Sequence, residues 1–406
     1  MIIQIKMNSL KSIKGLTLNF GKYPIQFILL RYYALYLKKY GQKYFSFHHN
    51  KIIKSITECK TSILGGHSVT CNDCNTTTNH YNSCRNRHCP NCQSIPKLKW
   101  IENRKKDVLN TSYFHCVFTV PKELNSLFLS NQRKLYTLLF KASAQTMKSL
   151  SKDEKYLGAK IGFISLLHTF GSNLSYHPHI HMILIGGGLT DCNKFKPSKS
   201  DTFLFPARVI ANRFRDFFLE SLDELFESKQ LILTKDNDYL LDSSSFKKFC
   251  IFLKKKNWNI NIKETLHGAH NAIEYLGRYT HRIAISNSRI ISVTDDAITF
   301  KYKNYKEDGE MKIMSLHPVE FIRRFTMHIL PHGFIKMRHY GILSNRAKKN
   351  TFIIFKNILR DIKQKSKLEG LNAQEILLNV FNIDISKCKF CGSSNISEGP
   401  LVIKRE

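Results

Sequence analysis

His179 and His181 stand two residues apart in His177-Pro178-His179-Ile180-His181, followed by the apolar run Met182-Ile183-Leu184-Ile185. Such a run reads as a buried strand. On a strand, residues i and i+2 share a face, so both imidazoles project together while Ile180 and Met182 face the other way. Two neutral imidazoles on one face can hold a divalent cation. Upstream, a second apolar run from Ile161 to Leu167 ends at His168, and Gly171-Ser172-Asn173 follows as a turn. If the two runs pair as an antiparallel hairpin, His168 joins the pair. Three nitrogens with open positions left over is the form a catalytic metal needs. A His-x-His in a strand is more often packing than ligation, so the remainder of the chain has to carry the weight.

Tyr275 and Tyr279 lie four apart in a segment with helical character, which stacks both phenols on one face. Arg278 and Arg282 repeat the spacing, and Glu274 and His281 make this an unusually polar face for a core helix. A metal on two or three histidines, two phenols and bordering cations make one reaction economical. A tyrosine oxygen attacks a DNA phosphodiester while the metal polarises a non-bridging oxygen. Free tyrosine ionises near pH ~10, and a cation at the phosphate eases that ionisation. The products are a 5′-phosphotyrosine and a free 3′ hydroxyl, and no ATP is needed.

The eleven cysteines are clustered. Six fall between Cys59 and Cys92, and Cys388 and Cys391 lie near the other end. Cys116, Cys192 and Cys250 are isolated and read as buried apolar residues. Clustering in a reducing compartment argues for metal over disulfides. Cys71-x2-Cys74 and Cys89-x2-Cys92 are two knuckles whose four thiolates can complete a tetrahedral zinc site. Cys59, His67, Cys84 and His88 form a weaker second set, with His80 a competitor, so one or two zinc ions are expected. Cys388-x2-Cys391 is half a zinc ribbon with no second half downstream; it completes a site elsewhere or binds nothing.

Lysine and arginine number 63 against 31 acidic residues, a net charge of +32. That excess points to a polyanion, most simply nucleic acid, although a lysine-rich composition alone would also produce it. Arg85 and Arg87 in the cysteine-rich segment, Arg278 and Arg282 beside the tyrosines, and Lys336, Arg338 and Arg346 among aromatics are the candidate DNA contacts. No run of eighteen apolar residues is present and the first residues lack a signal-peptide layout, so no membrane association and a cytoplasmic, nucleoid-associated protein are expected. Pro24 to Tyr44, Glu123 to Leu150 and Ala207 to Phe226 read as helices. Gly186-Gly187-Gly188 is expected to terminate the metal strand, and Tyr239 to Leu241 to form a short strand. The fold class is α+β with an antiparallel sheet. The expected division is an N-terminal helical segment (1–56), a zinc-binding module (57–110), a nuclease domain (111–300) and a basic C-terminal region (301–406).

These motifs together resemble one family, the HUH rolling-circle transposases of the IS91 type, which carry two tyrosines. The resemblance rests on Gly65-Gly66-His67 with Cys71-x2-Cys74, on Asn82-Ser83-Cys84-Arg85-Asn86-Arg87-His88-Cys89-Pro90, on Phe118-Thr119-Val120-Pro121 and on the His177 to His181 run. It extends through Tyr275 to Asn287, Leu330-Pro331-His332-Gly333-Phe334 and Arg338-His339-Tyr340-Gly341. It implies a ferredoxin-like antiparallel sheet with flanking helices, His179 and His181 as ligands of Mg²⁺ or Mn²⁺, and Tyr275 and Tyr279 as nucleophiles. Related relaxases imply a third ligand upstream, where His168 stands. The implied partners are single- and double-stranded DNA at transposon ends. Competing readings are a zinc-dependent DNA-binding regulator with core tyrosines, and a plasmid replication initiator using the same chemistry.

Overall fold

The computed structural model describes residues 21–44, 46–105, 109, 111–200, 204–264, 277, 282–304, 307–347, 354 and 368–401. In chain order its helices are α1 (Pro24–Tyr44), α2 (Phe47–Thr57), α3 (Ser94–Lys105), α4 (Asn125–Ser130), α5 (Gln132–Lys152), α6 (Ala207–Glu227), α7 (Ser243–Lys255), α8 (Pro318–Met327) and α9 (Ala373–Phe381). The strands are β1 (Gly66–Cys71), β2 (Thr77–Tyr81), β3 (Tyr113–Thr119), β4 (Lys160–Phe170), β5 (Tyr176–Leu189), β6 (Phe195–Pro197), β7 (Ile260–Glu264), β8 (Ile290–Val293), β9 (Ile298–Asn304), β10 (Glu310–Leu316), β11 (Met337–Gly341) and β12 (Ile396–Gly399).

The largest sheet runs β11-β4-β5-β3-β7, with β6 on the far end of β5, and its pairings are antiparallel. β5 is central. The face bearing Phe114, Phe118, Ile180, Met182 and Leu184 is fully buried. Phe214 of α6 sits edge-on to Phe118 at 5.0 Å between centroids, so this face receives the helices. Each such side chain contributes about 1.5–3 kcal/mol of burial. That fixes which way β5 faces, and the alternate residues His179 and His181 must then point to the opposite side.

A second core joins α1 and α2 to β8, β9 and α8, through Ile28, Tyr32, Ile53, Val293, Phe300, Phe321 and Ile322. It draws on segments far apart in sequence. The tip of the β4–β5 hairpin plugs into it. Leu174 is fully buried there in a left-handed conformation, φ +60°. Its carbonyl accepts from His328 Nε2 at 3.3 Å, and Thr169 Oγ1 satisfies Nδ1 of the same ring. The hairpin bearing the three histidines is therefore anchored at its turn by one core and along its length by the other.

Three sequence expectations fail here. Glu123 to Leu150 is not one helix: Lys122–Leu124 is a 3₁₀ turn, and α4 and α5 are separated at Asn131. β5 does not stop at Gly186-Gly187-Gly188 but runs through to Leu189. The glycines instead make room: a Cβ on Gly186 would lie 1.9 Å from Ser112 Oγ, and one on Gly187 would lie 2.4 Å from the Phe195 ring. Asp238–Leu240 is a single 3₁₀ turn, not a strand. The mixture of helices with antiparallel sheets is the α+β class expected. Among the described residues, no helix is long and apolar enough to cross a membrane.

Candidate metal centre

β4 and β5 pair with His168 directly opposite His179, so the three rings share one face. All three are buried, and their ligand nitrogens lie within 4.8 Å of one another. His179 Nδ1 is 2.6 Å from the His177 carbonyl oxygen. A carbonyl only accepts, so Nδ1 carries the proton and Nε2 keeps its lone pair. That Nε2 faces His181 Nε2 at 3.1 Å. Two nitrogens bound at right angles to one cation at about 2.1 Å would be about 3.0 Å apart. The residues present fit a divalent cation.

His115 of β3 extends the arrangement. Its Nε2 lies 2.9 Å from His181 Nδ1, and the rings stack at 5.1 Å. For His181 Nε2 to be free as a ligand, its Nδ1–H must donate to His115, which fixes the tautomer and the ring plane. Burial drives the imidazoles toward the neutral form. It takes His179 down to about 3, with His177 and Arg282 adding to the effect, and takes His181 well below its usual value. His115 falls to about 4 for the same leading reason. Neutral imidazole is the form that ligates.

Cations border this centre. Arg87, Arg282 and Lys336, with His88 held neutral by burial, line a cavity of about 30 Å³ that opens against His168. Burial, with Arg87 second, pulls the Lys336 ammonium down to about 8. Arg87 is partly committed, donating to the Phe334 and Pro331 carbonyls. Arg338 stacks over Phe140 at 4.3 Å, whereas Arg85 and Arg346 are exposed. Tyr275, Tyr279 and Arg278 lie outside the described residues, as do 265–276 and 278–281 generally.

The cysteines group differently from the sequence expectation. Cys59, Cys84, Cys89 and Cys92 form one set, with Cys84 and Cys92 sulfurs 3.8 Å apart. Cys59 and Cys89 are fully buried in the second core, and backbone N–H groups of Cys84, Asn86 and Asn91 donate to the sulfurs. Cys71 and Cys74 do not join Cys89 and Cys92. They stand with Cys388 and Cys391. The reason is reach: β1 and β2 turn the first knuckle away, while Cys59, at the end of α2, fills its place. His67 and His88 are ligands of neither set. His67 stacks on its cross-strand partner His80, and His88 turns toward the cavity beside His168. Cys192, expected to be buried, is exposed. Sequence reasoning missed His115. Its only signal was a histidine in a strand of otherwise apolar residues.

The family described as "Putative transposase" matches residues 162–351, and the family described as "Transposase zinc-binding domain", of the IS91 type, matches residues 28–120. "Putative transposase y4qJ" of Sinorhizobium fredii is 38% identical over 329 residues, 79% of this chain and 82% of that protein. The transposase for insertion sequence element IS801 of Pseudomonas savastanoi pv. phaseolicola is 27% identical over 302 residues, 73% of this chain and 70% of its own. No solved structure matches the chain. The histidine hairpin falls within the first matched region, the buried cysteine set within the second, and together with these relatives they place the chain in the family of IS91-type transposases.

Proposed function

We propose that this transposase nicks and joins single-stranded DNA at the ends of its element by tyrosine transesterification, in rolling-circle transposition. The observation that carries the reading is the three-imidazole centre, whose ligand nitrogens lie within 4.8 Å of one another, with the His177 carbonyl leaving the His179 Nε2 lone pair free. His168, His179 and His181 would hold Mg²⁺ or Mn²⁺, which supplies Lewis-acid polarisation of a non-bridging phosphate oxygen. Arg282 and Lys336 hold the DNA phosphate beside it, and Arg85, Arg338 and Arg346 engage the backbone further out. Supporting the tyrosine assignment, Arg282, three positions after Tyr279 in sequence, lines the cavity beside His168.

In the reaction the Tyr275 or Tyr279 oxygen forms a bond to phosphorus and the P–O3′ bond breaks. The phenolic proton leaves to solvent or a neighbouring base, and the 3′ oxygen departs as a hydroxyl after taking a proton. The energy of the broken bond stays in the phosphotyrosine, so a second 3′ hydroxyl can reverse the step and join strands. A second tyrosine allows a second transfer before the first is resolved. The test mixes protein, Mg²⁺ or Mn²⁺ and an end-sequence oligonucleotide on a denaturing gel, with each tyrosine changed to phenylalanine alone and both together. A covalent adduct that disappears in Tyr275→Phe/Tyr279→Phe is expected. An adduct that survives the double change overturns the reading, as does cleavage unaffected by His179→Ala.

A further inference from the structure

Cys71 and Cys391 sulfurs approach to 3.6 Å, and Cys74 and Cys388 sulfurs to 3.7 Å, across 320 and 314 residues of chain. Disulfide sulfurs would be about 2.05 Å apart. Both separations match instead the edge, about 3.8 Å, of a tetrahedron with metal–sulfur bonds of about 2.3 Å. The two turns are also built alike. Cys71 N donates to Thr76 O at 3.0 Å, and Cys388 N donates to Ser393 O at 2.8 Å, five residues on in each case. Each second cysteine is followed by a residue of positive φ, Asn75 at 53° and Gly392 at 76°. Two distant segments that adopt one turn and aim four thiols at one point describe paired metal knuckles.

The surroundings hold the two turns in register. β12 pairs with β1 from Ser68–Gly399 to Cys71–Ile396. Asn72 N donates to Asn395 O at 2.9 Å, and Asn395 Nδ2 donates to Asp73 Oδ1 at 2.7 Å. Ser393 Oγ donates to the other oxygen of Asp73. Apolar burial does little here: within residues 368–401, Ile376 is the one fully buried side chain among those described. A segment with so small a core needs another tie.

We propose that Cys71, Cys74, Cys388 and Cys391 bind one zinc ion that clasps the C-terminal segment onto the β1–β2 hairpin. The site is a zinc ribbon split between the two ends of the chain. Four thiolates close the coordination shell, so its role is structural, and sulfur donors select zinc over magnesium or manganese. Residues 388 and 391 lie beyond both matched family regions, so half of this site is not part of the zinc-binding domain as that family delimits it.

The experiment measures zinc content of the purified full-length chain by atomic emission. It compares the parent with Cys388→Ser/Cys391→Ser, with Cys71→Ser/Cys74→Ser, and with the quadruple variant. Each is expected to lose one zinc equivalent, and the quadruple variant to lose that same one and no more. Limited proteolysis of Cys388→Ser/Cys391→Ser supplies a readout independent of metal counting: new cuts within 382–401 are expected, with the rest of the chain as resistant as the parent. An unchanged zinc content in Cys388→Ser/Cys391→Ser overturns the proposal. So does loss of two equivalents in the quadruple variant, which would mean two separate sites.

Discussion

The histidine centre and the buried cysteine set are both metal-binding geometries, yet they are built on opposite principles. Cys59, Cys84, Cys89 and Cys92 offer four soft donors from loops and a helix end, enough to close a coordination shell inside the second core. His168, His179 and His181 supply three donors from a sheet that two hydrophobic cores already hold in place. A metal at the cysteines would help make structure, and one at the histidines would be received by structure already made. The difference teaches that loss of each metal should register in a different observable.

The largest effect sharpens that contrast. Structural zinc contributes about 10 kcal/mol in small zinc modules, comparable to the roughly 5–15 kcal/mol that separates folded from unfolded domains. Cys89→Ser is therefore expected to unfold the α1–α2–α8 core, read as loss of its thermal transition and of one zinc equivalent. A native melt with zinc retained would erase the distinction. Next, His179→Ala is expected to leave the melt within a few degrees while slowing strand cleavage at least about 10³-fold, about 4 kcal/mol of barrier. A collapse of the melt would put the histidines in the structural class with the cysteines.

Acid acts through the buried imidazoles. His115, His179 and His328 are held at about 4, 3 and 4 by burial, below the ~6.5 of an unfolded histidine. Between those values the unfolded chain binds more protons. The contribution of these histidines to the stability of the metal-free protein is thus constant above pH ~6.5 and falls as pH drops from there toward 4, by roughly 1.4 kcal/mol per pH unit for each proton taken up. Denaturant midpoints measured across that range check the sign, and a midpoint that rises on acidification contradicts it. The smallest effect concerns His115. His115→Ala is expected to weaken Mn²⁺ binding about 10–100-fold, and His115→Gln to restore part of it, because an amide oxygen still accepts from His181 Nδ1. Calorimetric titration of both variants reads this directly.

How much of this was legible depends on the range of the interaction that decides it. His168, His179 and His181 were readable because a period of two and one short turn fix their common face. Helices were readable from their apolar spacing, and α1 spans Pro24–Tyr44 as expected, but the break at Asn131 that divides Glu123 to Leu150 into α4 and α5 leaves no mark on that spacing. The cysteine grouping was not, because two knuckles look alike in sequence and their pairing is chosen by the β1–β12 register over three hundred residues of chain. His115 was invisible for a related reason: its partner is set by the β3–β5 register, which places it one step along from His181. Gly186 to Gly188 misled because glycine is depleted in strands, whereas here it lets Ser112 and Phe195 approach the strand closely.

The proposed function stands on Tyr275 or Tyr279 becoming joined to DNA in a step that needs the histidine centre. The direct measurement is mass spectrometry of the protein after reaction with an end-sequence oligonucleotide and Mn²⁺, followed by nuclease trimming and proteolysis. A phosphonucleotide on the peptide containing Tyr275 or Tyr279, absent when His179 is alanine, is the predicted result. A phosphonucleotide on any other residue, or cleaved DNA with no protein attached, would contradict it.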